Sequence, residues 1–134
     1  MYGSWLVPGL CMLKILIDTN AMIYAFDGKK DINSIFSREV RDSFRFYSLD
    51  ACMRELEGLG RKDVIRWAKE NKIEMINTAS SGKTDDKIID EAVLAGFTVL
   101  TADAELIRRA DARKVSTVKV SGNHLVFSKE TRKL

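Results

Sequence analysis

One proline, one histidine and two cysteines in 134 residues leave several chemistries without material. A single histidine, His124, cannot build a histidine-rich metal site, and histidine-based catalysis loses most of its support with it. It falls in a late strand-like segment, where a structural role is expected. Cys11 and Cys52 are too far apart in sequence to suggest a disulfide framework or a zinc site, so both read as small hydrophobes. The lone proline, Pro8, lies in an N-terminal stretch with neither helical nor strand period. Long apolar runs are missing too. Nothing approaches the ~20 residues of a membrane span, and residues 1–11 lack the basic start and length of a secretory signal. A cytoplasmic protein with no membrane association is the expectation. The net charge of +3 permits contact with a polyanion without demonstrating it.

What is present is the material of one globular domain: 46% hydrophobic and 31% charged residues, in a chain long enough to bury about two-thirds of its unfolded surface. Residues 12–128 read as that domain, with residues 1–11 as an extension outside the core and 129–134 as a charged tail. The apolar Trp5, Leu6, Val7 and Leu10 of the extension could dock on the domain or on a second copy. The chain is organised around Leu13-Lys14-Ile15-Leu16-Ile17, a mostly apolar, β-branched run that stops on Asp18-Thr19-Asn20. It reads as a buried strand ending in oxygen ligands, at the edge of an open parallel sheet where ligands bind. The same residue types also cap helices, and that plainer role stands beside the ligand role.

Strand-like and helix-like segments then alternate. A short helix over 21–26 meets the turn Asp27-Gly28-Lys29-Lys30, and a second begins near Asp31 with Ile32, Ile35, Phe36 and Val40 at helical spacing. Residues 44–49 form an aromatic strand. Asp50 is expected to cap a helix over 51–59, followed by another over 61–71, a strand over 72–77 and a polar loop over 79–83. Thr84 reads as the cap of a helix over 85–95 that Gly96 stops. A strand over 97–101, a helix after Asp103, a strand over 115–120 and a last strand over 124–127 complete the chain. Such alternation implies a parallel sheet with right-handed crossovers and helices on both faces.

Acidic residues recur at element ends that this topology gathers on one sheet edge: Asp18, Glu55, Asp85 and Asp103. On the helix from Asp85 the apolar stripe is Ile88, Ile89, Ala92 and Val93. At roughly 100° per residue Asp85 projects near its centre and Asp86 toward its edge. A carboxylate aimed at a core needs a compensating charge, which a cation or a helix N-terminus supplies. Around Arg54-Glu55-Leu56-Glu57, Glu55 and Glu57 flank their stripe at similar angles, and helical geometry does not choose between them. Thr101-Ala102-Asp103 opens a helix, so Asp103 can be a cap and a ligand at once. With oxygen donors alone on offer, the hard cations Mg²⁺ or Mn²⁺ suit the set better than zinc.

These motifs resemble the PIN-domain nucleases, a family that includes the VapC toxins of toxin–antitoxin systems and archaeal and eukaryotic RNA-processing endonucleases. The resemblance covers residues 12–120 and rests on Asp18-Thr19-Asn20, Arg54-Glu55-Leu56, Asp85 and Thr101-Ala102-Asp103 in order. The wording Arg54-Glu55-Leu56-Glu57-Gly58-Leu59 and Thr84-Asp85-Asp86 leans toward the archaeal ribosomal-RNA-processing branch. Ala102 departs from the asparagine often found there, removing a polar contact. The resemblance implies a three-layer α/β/α domain, α/β in class, with a mainly parallel sheet in the order 3-2-1-4-5 and a C-terminal strand or hairpin. It further implies an endoribonuclease that hydrolyses RNA phosphodiester bonds with Mg²⁺ or Mn²⁺ held by Asp18, Glu55, Asp85 and Asp103, with Asp86 in reserve. Thr19, Asn20 and Thr101 would orient those ligands. Candidate phosphate contacts are Arg54, Arg61, Lys62, Lys83 and Lys87, with Lys29 and Lys30 behind them. An antitoxin or a pre-ribosomal particle is the implied partner, and a homodimer the implied assembly.

Two other classes compete. A catalytically silent PIN-like module would bind RNA or protein without hydrolysing anything. A receiver-like phosphoacceptor domain would use Thr101 and Lys119, but it needs an acidic pair after strand one and an aspartate after strand three, where this chain has Asp18 alone and Asn77.

Overall fold

The computed structural model describes residues 12–78 and 82–128. The expected N-terminal extension, the charged tail and residues 79–81 of the polar loop lie outside the described residues. In chain order the elements are β1 (Met12–Ile17), α1 (Thr19–Asp27), α2 (Ile32–Glu39), β2 (Ser43–Leu49), α3 (Asp50–Gly58), α4 (Lys62–Glu70), β3 (Glu74–Ile76), α5 (Thr84–Ala95), β4 (Thr98–Leu100), α6 (Ala104–Ala112), β5 (Thr117–Ser121) and β6 (His124–Phe127). They form three layers, α/β/α, around one sheet in the order β3-β2-β1-β4-β5-β6. All pairs are parallel except β5 with β6, the expected C-terminal hairpin.

β1 lies at the centre because its residues are apolar on both faces: Ile15, Leu16 and Ile17 are all buried, as a parallel strand covered on both sides requires. It pairs with β2 from Met12↔Ser43 to Leu16↔Tyr47, and with β4 from Ile15↔Thr98 to Ile17↔Leu100. Phe36 of α2 docks on β2, its ring 5.1 Å from that of Phe46 and 5.6 Å from that of Phe44. Gly96 ends α5 in the left-handed region at φ 76°, the conformation its place after the helix requires. Cys52 is buried and free, and His124 pairs its Nδ1 with Glu39 Oε2 at 2.6 Å, fastening β6 to α2.

Three local expectations shift. Helix α1 starts at Thr19 rather than at residue 21, because Asp18 itself is the cap. Asp50 and Thr84 each lie one residue inside their helices, behind Leu49 and Lys83, which make no side-chain cap bond. Asp50 Oδ1 accepts from the Ala51 amide at 2.9 Å in the first turn and also from the Thr78 amide at 3.3 Å and the Thr78 hydroxyl at 3.1 Å, so the carboxylate joins the helix start to a residue distant in sequence. The sheet order also removes the receiver alternative, whose doubly wound sheet runs 2-1-3-4-5. Among the described residues no helix is long and apolar enough to cross a membrane.

The aromatic dock of α2 is directly testable. Phe36 is fully buried, so Phe36→Ala should cost about 3–5 kcal/mol in urea unfolding, and Phe36→Leu distinctly less. A loss below about 1 kcal/mol for the alanine variant would show that the cluster does not hold α2 to the sheet.

Candidate active site

The register that pairs Ile17 with Leu100 makes Asp18 and Thr101 the next neighbours along β1 and β4. Asp18 continues the ladder through its amide, which donates to the Leu100 carbonyl at 3.2 Å. Just before it, the buried Ser48 hydroxyl of β2 donates to the Ile17 carbonyl at 2.9 Å, fixing the strand end from the other side. At this edge a cavity of about 120 Å³ is lined by Asp18, Glu55, Asp85 and Asp103, together with Thr19, Asn20, Thr84 and Ile88. The acids singled out in sequence thus share one cavity.

Asp18 is only 5% exposed. Its Oδ1 accepts from the Ala21 amide at 2.6 Å, the helix-capping bond, while Oδ2 accepts from the Thr101 hydroxyl. Capping and facing the cavity are therefore simultaneous. Burial pushes the Asp18 carboxyl up to about 6. The bonds from Thr101 and Ala21 oppose the rise, and the charges of Asp85 and Asp103 add to it. Thr101, itself buried, is a node: its oxygen also accepts from the Asp103 amide at 3.1 Å. The Asp103 carboxylate caps α6 by accepting from the amides of Glu105 at 2.9 Å and Leu106 at 3.4 Å.

Glu55 receives the Thr19 hydroxyl on Oε1 at 2.5 Å, and this contact settles what helical angles left open, since Glu57 does not line the cavity. Asp85 is half-buried, its carboxyl raised first by burial and then by the charge of Asp103, with Arg109 pulling the other way. Asp86 departs from expectation. One residue further round α5, it is exposed and ion-paired to Arg109 of α6, away from the cavity. Asn20 sits in the wall but supplies neither of the bonds that Asp18 accepts. Ser48 and Arg109 had no signal in the sequence; their partners are set by the sheet and by helix packing.

Among the described residues no three carboxylate, imidazole or thiol side chains stand close enough together to hold a metal ion. Oxygens of Asp18, Glu55 and Asp103 are turned instead to donors of the protein. The donor set nevertheless fits a hard divalent cation. It is all oxygen, the donor chemistry such an ion takes, and no lysine or arginine is among the described residues that line the cavity.

The basic candidates separate. Lys62 and Lys83 are exposed. Arg54 is paired with Asp50 at 3.3 Å. The guanidinium of Arg61 is held by Asp27 at 2.6 Å and Asp63 at 3.1 Å, 5.9 Å from the Phe26 ring centre, so it ties the end of α1 to the start of α4. Lys87 is 7% exposed, because the covered arc of α5 is wider than its apolar stripe. It does not offer the expected phosphate contact.

No protein-family model matches the sequence, and no curated protein matches it. Solved structures do. The PIN domain endonuclease Utp24 superposes with a TM-score of 0.73 at 21% identity, over 86% of this chain and 90% of that one. The fold is that of a PIN domain. A PilT N-terminus domain protein from the hyperthermophilic archaeon Sulfolobus solfataricus shares the PIN fold at a TM-score of 0.59 and 11% identity, over 80% and 87% of the two chains. A domain of a functionally unknown protein from Methanocaldococcus jannaschii matches at 0.55 and 21%, over 82% and 92%. At these identities the likeness carries the fold, and the chemistry must be argued from the PIN-fold cavity itself.

The charge on Asp18 makes a sign-definite prediction. Its folded carboxyl titrates near 6 against 3.8 for the ordinary group, so its ionised form weakens the fold above pH 6, and that cost disappears as pH falls through 6 toward 4. In chelator at pH 7.5, Asp18→Asn should therefore be the more stable protein, by up to about 3 kcal/mol, with the gain gone by about pH 4. Urea titrations at both pH values measure this. A variant no more stable than wild type at pH 7.5 contradicts it.

Proposed function

We propose that the protein is a divalent-metal-dependent endoribonuclease that hydrolyses RNA phosphodiester bonds. The observation that carries the reading is the single cavity lined by Asp18, Glu55, Asp85 and Asp103 at the carboxyl edge of a PIN fold, with no lysine or arginine among the described residues that line it. Its likeness in fold to a PIN domain endonuclease supports the same class. Asp18, Glu55, Asp85 and Asp103 are the residues that would hold Mg²⁺ or Mn²⁺. When bound, such an ion supplies Lewis-acid stabilisation of the charge that builds on a phosphodiester under attack.

The chain's own residues set the conditions for that chemistry. Thr101 holds the Asp18 carboxylate in one orientation and, through the same oxygen, ties down the backbone of Asp103. Thr19 does the equivalent for Glu55. The acids keep the cavity negative, so a phosphodiester enters together with a cation rather than alone. Water adds to phosphorus and the bond to the leaving oxygen breaks, giving a phosphate monoester on one fragment and a hydroxyl on the other. Lys62 and Lys83 are exposed and form no ion pair among the described residues, so they are candidates to meet the strand outside the cavity.

One observation favours the silent binding module instead: the carboxylates stand hydrogen-bonded to the protein and do not converge. Metal titration separates the two. Mn²⁺ should raise the melting temperature of the wild type, because an ion that binds the folded state alone must stabilise it, and should fail to do so in Asp18→Asn and Asp85→Asn. The same variants should lose RNA cleavage by about 100-fold or more, the scale of removing one group that stabilises transition-state charge. Cleavage at wild-type rate by either variant would dismiss the assignment. For the surface, replacing Lys62 and Lys83 with alanine should flatten the salt dependence of single-strand RNA binding by about 0.7 per lost phosphate contact. Arg61→Ala should leave the slope unchanged, since that guanidinium is already spoken for by Asp27 and Asp63.

A further inference from the structure

Next to the acid cavity lies a cleft of about 380 Å³ that the chemistry above does not use. It runs between α1 and the carboxyl ends of β4 and β5, and it shares Asn20 and Asp103 with the acid cavity. Ala25, Leu100 and Val120 give it an apolar wall. Two features make it more than a gap. Tyr24 lines it with 49% of its surface open, the one aromatic among the exposed large apolar side chains of the described residues, and it forms no ring pair with another described aromatic. Lys119 of β5 lines the same cleft, is exposed, and has no carboxylate partner among the described residues.

A strand whose phosphodiester reaches the acid cavity must put its neighbouring nucleotide somewhere within one nucleotide's length. The acids repel that nucleotide's phosphate, and its base, pulled from the stack, needs an apolar surface. The adjoining cleft answers both needs: it is nucleotide-sized, apolar along its wall, aromatic at one side and cationic at another. We infer that this cleft is a nucleobase subsite, in which Tyr24 stacks on one unpaired base beside the scissile bond and Lys119 holds the adjoining phosphate. The choice of ligand rests on the hydrolytic reading of the acid cavity; the stacking itself does not require hydrolysis.

Binding with Ca²⁺ in place of Mn²⁺, read before any product forms, tests it apart from turnover while a hard cation still accompanies the phosphodiester. A fluorescent single-stranded RNA decamer is titrated with wild type, Tyr24→Ala, Tyr24→Phe and Lys119→Ala, and the series is repeated with one abasic residue moved along the strand. Tyr24→Ala should weaken binding about tenfold and Tyr24→Phe should restore it, as base stacking on a ring demands. At one position of the strand, removing the base should weaken wild type but leave Tyr24→Ala unchanged, the signature of a direct pair. Lys119→Ala should weaken binding at every abasic position alike and lower the salt slope. Equal binding by wild type and Tyr24→Ala overturns the subsite and leaves the cleft as a groove for a protein segment. Mn²⁺-dependent cleavage indifferent to Tyr24 would keep the hydrolytic reading and remove the subsite. Tyr24-dependent binding without any Mn²⁺-dependent cleavage would keep the subsite and remove hydrolysis.

Discussion

The hydroxyl of Thr101 donating to the buried carboxylate of Asp18 is the contact on which the site's arrangement turns. A carboxylate taken out of water needs donors, and at the end of a central strand few are at hand. Asp18 finds one in the first turn of α1 and one across the sheet on the strand end beside it. The second exists only because β1 and β4 are paired with Ile17 opposite Leu100. A register slip of one residue would turn every side chain of β4 to the opposite face, and the threonine with them. Sheet register and carboxylate orientation are thus one constraint, and Asp103 inherits it through the same threonine oxygen.

Even so compensated, the site is held against its own charge. Asp18, Asp85 and Asp103 face one small cavity; burial raises the carboxyls of Asp18 and Asp85, and the charge of Asp103 adds to both. The protein's cations are placed elsewhere: Arg109 takes Asp86, Arg61 takes Asp27 and Asp63, and Arg54 takes Asp50. Each forms its ion pair with a carboxylate outside the cavity; among the described residues no carboxylate inside it has an ion-pair partner, and Arg109 acts on Asp85 only as a nearby charge. A structural acid cluster would be expected to draw at least one arginine inward, because an unpaired buried carboxylate costs more than a paired one. Its absence from the lining is what makes an external cation the natural complement.

Much of this was legible in the chain. The apolar run ending on Asp18, the inward face of Asp85, the stop at Gly96 and the alternation of strands with helices all follow from local pattern, and the resemblance to PIN domains supplied the strand order. What local pattern could not reach are choices made by contacts distant in sequence. Glu55 rather than Glu57 faces the cavity, where it meets Thr19, 36 residues away. Asp50 sits one residue inside its helix and shares its carboxylate with Thr78, 28 residues on. Arg61 reads as a free phosphate contact until Asp27, 34 residues before it, takes its guanidinium. Lys87 is charged and lies beside a recognisable stripe, yet it is buried with that stripe. In each case the side chain's chemistry was visible and its partner was not.

Ala102 belongs to the cleft rather than to the acid cavity. In the sequence it reads as a lost polar contact at the acid site, because the residue before Asp103 is often asparagine in related motifs. In the structure Ala102 does not line the acid cavity at all; it lines the apolar cleft beside it. The acid geometry is set instead by Thr101 on one side and Asp103 on the other, both of which the chain retains. An asparagine at this position would put a polar group into the cleft wall that Leu100 and Val120 keep apolar. The departure therefore bears on the cleft wall rather than on the carboxylates, and an apolar wall suits a flat apolar face better than a hydrogen-bonding edge.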